Sequence, residues 1–245
     1  MRAFLFLLIL MTCPLAVLAE DSKPEGAVCL LPELLPCKPL LVSQSRIQEE
    51  TQGFRIDVEF PILCEPDATG AISEEMHSMV NDFKNMAPEH DRTQFPHRYE
   101  LTADYAVWPA ASGRIASVKM QTAFYTGGAH HNYGALAWVF DLADGTVLEL
   151  NDIFMDPETA LGDIADMTRD ALSRSLGPML APDMLAVGTE PVVENYSIFI
   201  LNDEGVAFFF PPYQVAPFAA GEQAVTLPYA SVRDHLTPQL LDVLP

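Results

Sequence analysis

The spacing of the apolar residues changes period along the chain, and this change limits the possible folds more than any other feature. From Phe54 to Phe60, apolar residues alternate with charged ones, which is typical of a β-strand with one buried face. From Ile72 to Phe83 the apolar residues recur every three or four positions, which predicts an amphipathic helix that ends before Pro88. Such a chain must bury one face of a sheet against one stripe of a helix.

The first half of the chain is predicted to fold as strand, strand, helix, strand, strand. Residues 40–50 and 54–63 flank a short polar turn and form a hairpin. Two further strand-like runs follow the helix, at residues 98–108 and 114–125. Consecutive strands joined by short turns favour a mostly antiparallel sheet.

The second half repeats the same kinds of element without a convincing sequence repeat. We predict a hairpin over 135–150 turning at Asp144-Gly145, a helix over 157–176, a hairpin over 195–210 and a final helix over 230–236. The predicted fold class is therefore α+β, in two joined pieces, with mostly antiparallel strands and a helix packed on each sheet.

The N-terminus predicts export. Residues 1–19 combine Arg2 with an apolar run and end in a small-residue site at Ala19, which is typical of a secretory signal peptide. An uncleaved anchor fits less well, because the apolar run is short and contains Pro14. We expect a periplasmic or secreted protein without membrane contact after cleavage. A Pro-rich lead-in over 20–39 would precede α+β domains at 40–126 and 127–245.

Charge restricts the partners. Without residues 1–19, which contain one Arg and no acidic residue, the chain has 12 Lys and Arg against 34 Asp and Glu, a net charge of −22. Such a surface repels nucleic acid and anionic lipid, and it attracts basic proteins. Solubility is the simpler interpretation of the same charge.

Three cysteines remain after signal cleavage, namely Cys29, Cys37 and Cys64. An oxidising compartment favours one disulfide and one remaining thiol. We expect Cys64 to pair with Cys37, because the first hairpin folds residues near 40 back toward residue 64. A bridge between Cys29 and Cys37 is the alternative.

The stretch YTGGAHHNYG, residues 125–134, is the most unusual part of the sequence. Gly127 and Gly128 permit positive φ angles, so we expect a turn between two strands. His130 would then be at least partly buried and donate from its ring to a backbone carbonyl. The alternative is a loop that contacts a ligand or a partner. A metal site is not expected, because His130 and the adjacent His131 point to opposite faces of a strand.

Motifs of enzymes and cofactor-binding proteins are absent from the sequence, including GxSxG, the Walker loop, HExxH and the dinucleotide fingerprint. A hydrolase could use His130 as a base with Asp141 or Asp144, but no nucleophile is indicated. We therefore expect no catalytic residue, no metal and no cofactor.

Two segments carry a family resemblance. Residues 125–154 contain Y-x-G-G-A-H, a strand, an acidic-Gly turn and L-x-D-I-F, and residues 208–232 contain Y-x-V-x-P-F followed by an apolar strand and Pro-Tyr. This pattern resembles the extracytoplasmic domain of RsiV-type anti-sigma factors, which also accompanies PdaC-type peptidoglycan deacetylases. Residues 40–126 are similar to the smaller domain that usually precedes it.

The resemblance implies a fold of two joined α+β pieces and a region without catalytic residues, which in the anti-sigma factors is a receptor for lysozyme. The candidate binding residues are those of the two motifs: Tyr125, Gly127, Gly128, His130, His131 and Tyr213. The Asp-Asp and His-x-x-x-His signatures of the deacetylase chemistry are missing, and we expect no sigma-factor binding.

The expected function is thus an exported binding domain of the bacterial cell envelope. Its partner would be a lysozyme-like, cell-wall-active protein or the peptidoglycan itself. A cell-envelope hydrolase with His130 in its site is the alternative, and an envelope structural protein is a third interpretation.

Overall fold

The structure is a computed structural model that describes residues 39–86 and 97–244. The predicted signal peptide, Cys29 and Cys37 lie outside these residues. In the described part of the chain, no helix is both long enough and apolar enough to cross a membrane.

A six-stranded sheet forms the first part of the structure, with its strands in chain order. All neighbouring strands are antiparallel except the second and third, which are parallel. That parallel pair exists because a long helix, α1 (Pro66–Met86), lies between the two strands in the chain. The strands are β1 (Leu41–Glu50), β2 (Phe54–Leu63), β3 (Tyr99–Ala110), β4 (Ile115–Tyr125), β5 (Asn132–Asp141) and β6 (Thr146–Val147).

Helix α1 covers one face of this sheet. Its stripe of buried residues includes Ile72, Met76 and Phe83, and it packs with alternate residues of β2, such as Ile56 and Val58. Every one of these five side chains is at most 2% exposed. The alternating apolar residues of β2 and the apolar stripe of α1 thus pack in one hydrophobic core, as the sequence predicts.

A smaller antiparallel sheet forms the second part, with strand order β7 (Phe199–Leu201), β8 (Gly205–Phe210) and β9 (Gln223–Pro228). Its own hydrophobic core includes helix α3 (Pro157–Ser175). Asp156 caps this helix by accepting a hydrogen bond from Thr159 N (3.4 Å). The shorter helices are α2 (Leu150–Ile153), α4 (Pro182–Gly188), α5 (Tyr229–Val232) and α6 (Pro238–Leu241).

The predicted α+β class, with a helix packed on each sheet, is confirmed. Several boundaries differ from the prediction. Helix α1 begins at Pro66 rather than near residue 72. The helix predicted over 230–236 is divided into α5 and a 3₁₀ turn, and α6 follows beyond it. Strand β6 has only two residues because a capping box formed by Glu149 and Asp152 starts α2 at once.

The predicted boundary between residues 126 and 127 falls between β4 and β5, which are neighbours in the same sheet. The division into two domains stays a prediction. The two sheets contact each other through the buried Ser117 of β4, whose hydroxyl bonds with the backbone of Leu201 in β7.

Cys64 is half-buried just beyond the end of β2. Its backbone N–H donates to the carbonyl of Leu40 (3.0 Å), so the chain three residues after Cys37 lies beside Cys64. The predicted Cys37–Cys64 pairing stays a prediction, since Cys37 is outside the described residues.

Candidate ligand-binding groove

The face of the large sheet opposite α1 carries an open groove. Successive side chains of β2 point to opposite faces of the sheet. Because Ile56 and Val58 are buried on the α1 side, Asp57 and Glu59 point to the other face and line the groove. The cavity has a volume of about 420 Å³. Its polar and aromatic lining consists of Arg46, Asp57, Glu59, Thr102, Asp104, Gln121, Thr122 and Tyr133.

The groove is acidic. Arg46 donates to both carboxylate oxygens of Asp57 (2.6 and 2.7 Å) and lies 3.3 Å from Glu59. The hydrogen bond from Arg46 lowers the pKa of Asp57 below its ordinary value, despite the opposing effect of desolvation. With Asp104 there are three carboxylates for one guanidinium among the lining residues, so the groove favours positively charged or neutral hydrogen-bonding groups.

An aromatic cluster lies at the border of this groove and consists of His130, Tyr133, Tyr213 and Phe218. Tyr133 is the member that lines the groove itself. Phe218 is at its centre, with ring centroids 4.3 Å from His130, 5.3 Å from Tyr213 and 6.1 Å from Tyr133. The His130 ring is stacked on Phe218. Tyr133 is 48% exposed and Tyr213 is 60% exposed, so the cluster presents aromatic surface to solvent.

Two turns with positive φ angles bring the cluster together. Gly127 (φ 97°) and Gly128 (φ 119°) shape the connection between β4 and β5, as predicted, and the Tyr125 hydroxyl donates to Gly128 O (3.1 Å). Tyr213 itself has a φ of 75°, in the connection between β8 and β9. A non-glycine residue in this region of backbone space carries strain of about 1–3 kcal/mol.

The prediction that His130 is partly buried is wrong, since the residue is exposed. The predicted contact with a backbone carbonyl is present, because His130 Nδ1 lies 2.8 Å from His131 O. The ring lies on Phe218, a residue far along the chain, instead of inserting beneath its own turn. The sequence interpretation missed Phe218 and Tyr133, although Phe218 is the aromatic residue of the Y-x-V-x-P-F motif.

The remaining candidate residues lie in a second cleft. Tyr125 and His131 line a cavity of about 490 Å³ together with Glu100, Arg98 and their neighbours. His131 Nε2 is 3.3 Å from a Glu100 carboxylate oxygen, and its ring centroid is 5.2 Å from that of Tyr125. Arg98 forms an ion pair with Glu50. The adjacent histidines therefore face different surfaces, although both precede β5 and neither lies in a strand.

The hypothetical dyad of His130 with Asp141 or Asp144 is not formed. His130 precedes β5 and Asp141 ends it, and a strand of this length spans roughly 30 Å. Asp141 instead binds Arg114 (2.7 Å), and Asp144 accepts from Thr146 N (3.0 Å). No group of three or more His, Cys, Asp or Glu that could hold a metal is present within residues 39–86 and 97–244.

Comparisons with known proteins identify relatives in sequence and in fold. Residues 151–230 match the family model described as a protein of unknown function, DUF3298. The chain is 25% identical over 201 residues to the peptidoglycan-N-acetylmuramic acid deacetylase PdaC of Bacillus subtilis, a match that covers 82% of this chain and 43% of that protein. The chain thus spans less than half the length of this curated relative. The RsiV/PdaC-type resemblance is confirmed.

Two solved structures share the fold. A DUF3298 family protein from Pseudomonas aeruginosa PAO1 has a TM-score of 0.60 at 13% identity, covering 83% of this chain and 97% of that one. A DUF3298 family member from Bacteroides fragilis has a TM-score of 0.53 at 17% identity, covering 82% and 96%. At these identities the likeness shows the fold alone.

Proposed function

We propose that this chain is an extracytoplasmic, non-catalytic binding domain of the bacterial cell envelope. The observation that carries the proposal is the acidic groove with an exposed aromatic cluster at its border. Export is supported by the signal-like residues 1–19 and by the similarity to a protein named for its action on peptidoglycan.

The partner is a basic, cell-wall-active protein of the lysozyme type. A net charge of −22 attracts such a protein before contact. The three carboxylates of the groove then attract its basic side chains at the binding surface. Specificity comes from the aromatic cluster, since exposed tyrosines supply large contact areas and are enriched among the residues that dominate binding energy.

Titration calorimetry with a lysozyme tests this proposal against an unrelated basic protein of similar charge. We expect lysozyme binding that persists at moderate salt, where the Debye length is about 8 Å, and weaker binding of the control protein that disappears there. Tyr213→Ala should lower the affinity at least about tenfold, whereas Val187→Ala, at a 63% exposed position on α4, should leave it unchanged. Equal, salt-sensitive binding of both proteins would reduce the proposal to nonspecific electrostatics.

Wall glycan is the second candidate, favoured by the same cluster. The apolar face of a sugar ring can stack on an aromatic side chain, and the groove offers the carboxylates and the Gln121 amide for its hydroxyl groups. The acidic lining favours neutral N-acetylglucosamine units over carboxylate-bearing muramic acid units. Binding of soluble chitooligosaccharides with loss in Tyr213→Ala, together with no binding of lysozyme, would select this candidate.

A further inference from the structure

We propose that the outer edge of β5 binds an extended segment of a partner protein, which joins the six-stranded sheet as an added strand. On one side β5 pairs with β4 along its length, but β6 covers the other side only at Phe140 and Asp141. A bond from Leu148 N to Val139 O (2.7 Å) extends this cover by one residue. In the part of the chain that the structure describes, no strand lies beside the remaining edge, residues 132–138.

The hydrogen-bond pattern identifies the backbone groups of this open edge. Leu142 N donates to Arg114 O just beyond the end of the β4–β5 ladder (2.8 Å). Because antiparallel pairs alternate, the even-numbered residues of β5 exchange bonds with β4 and the odd-numbered residues point away from it. The outward N–H and C=O groups therefore belong to Tyr133, Ala135 and Ala137. An added strand would satisfy them.

The two edges of the sheet differ in their protection. At the opposite edge, β1 carries Arg46, Glu49 and Glu50 and has an irregular register between Leu41 and Ser43. Charges and bulges of this kind keep an edge from pairing with other chains. Residues 132–139 of β5, NYGALAWV, include no charged residue and no proline. The β5 edge thus lacks the features that protect β1.

A cavity lies where β6 leaves this edge. It has a volume of about 360 Å³, and its apolar lining includes Trp138 of β5, Val147 of β6, Phe199 of β7 and the 51% exposed Val193. One apolar side chain of the added strand would enter it. In strand addition, main-chain hydrogen bonds supply affinity, and pockets for alternate side chains supply specificity.

Charge favours a segment of another protein over a second copy of this chain. Two copies without residues 1–19 would each bring a net charge of −22, and Glu149 lies in the lining of the cavity. Like charges oppose such pairing, whereas a segment flanked by Lys or Arg is attracted. The occupant is therefore an extended run of β-branched and apolar residues with basic flanks. This proposal does not rest on the identity of the ligand in the groove.

The probe is the synthetic peptide KTVTLTVK with blocked ends, and the control is KTPTLTPK, in which two prolines remove donors needed for a β-ladder. Fluorescence anisotropy measures binding to the purified chain, and hydrogen exchange followed by NMR measures the amides of Tyr133, Ala135 and Ala137. We expect fast exchange at these amides in the free chain, at least tenfold slower exchange with the probe, and no slowing with the control peptide.

Two pairs of variants locate the binding. Ala135→Pro removes one outward N–H and should weaken probe binding at least tenfold, whereas Ala135→Ser keeps that group and should bind as the parent does. Val193→Lys places a charge at the cavity and should also weaken binding, unlike Val193→Ala. Because Val193 is about half exposed, this second pair remains informative if Ala135→Pro does not fold.

Four results would overturn the proposal. Slow exchange of the outward amides in the free chain would mean that its own residues cover the edge. If sedimentation shows that the parent chain is a dimer and that Ala135→Pro is a monomer, the occupant of the edge is a second copy of the chain. Equal binding of the probe and the control peptide would exclude strand addition at this edge. Equal binding of the probe by the parent chain, Ala135→Pro and Val193→Lys would exclude it as well.

Discussion

Replacing Ser117 by alanine tests how strongly a single hydroxyl joins the two sheets. Ser117 is fully buried. Its Oγ donates to Leu201 O (2.8 Å) and accepts from Leu201 N (2.9 Å). One hydroxyl of the large sheet thus satisfies both backbone groups of a residue in the small sheet.

The magnitude follows from the groups that lose their partner. In Ser117→Ala, the buried N–H and C=O of Leu201 both lose this bond, at roughly 1–3 kcal/mol for each unsatisfied group. The alanine removes the cost of burying the hydroxyl, which offsets part of the loss. We expect the free energy of unfolding to fall by about 2–4 kcal/mol, which for a chain of this size lowers Tm by roughly 4–16 °C.

Urea unfolding followed by circular dichroism measures this change, with Ser43→Ala as the control. Ser43 lies on the edge strand β1 and is exposed, so its replacement should change the free energy of unfolding by less than about 0.5 kcal/mol. If Ser117→Ala is no more destabilising than Ser43→Ala, the reciprocal bond does not couple the sheets, and the reasoning fails.

Three further predictions concern single positions. Gly128→Val should destabilise the fold by about 1–3 kcal/mol, measured by thermal unfolding, because φ is 119° there; an unchanged Tm would contradict this. Gly188→Ala should destabilise the fold by about 1–3 kcal/mol, since the added Cβ would lie 2.1 Å from the Gln214 carbonyl oxygen. Urea unfolding measures this change, and a variant as stable as the parent chain would contradict the prediction. The hydrogen bond from Arg46 lowers the pKa of Asp57 in the folded chain. The stabilisation that the ionised Asp57 provides is therefore fully present above the pKa of this carboxyl in the unfolded chain. It is lost as the pH falls through the lower pKa of the folded chain. The stability difference between the parent and Asp57→Asn should therefore be constant near pH 7 and shrink below about pH 4 in urea titrations at several pH values, and a difference that persists at pH 2 would refute it.

The sequence alone determined the elements whose causes are local. Alternation from Phe54 to Phe60 and helical spacing from Ile72 to Phe83 decide which side chain faces which way, whatever the rest of the chain does. The pair of glycines at 127 and 128 likewise predicted a turn with positive φ. These features produced the α+β class and the first hairpin correctly. They were less informative at β6, where the start of α2 ended the strand after two residues.

Only the tertiary structure decided what the surfaces can do. His130 lies on Phe218, although 88 positions separate them in the sequence, and no local period links a turn after β4 to a loop after β8. The acidic groove likewise requires β1, β2, β3 and β4 side by side, and the open edge depends on where β6 ends. Such contacts form when separate segments bury their apolar surface together, so their geometry depends on how the packed layers meet and cannot be derived from spacing along one segment.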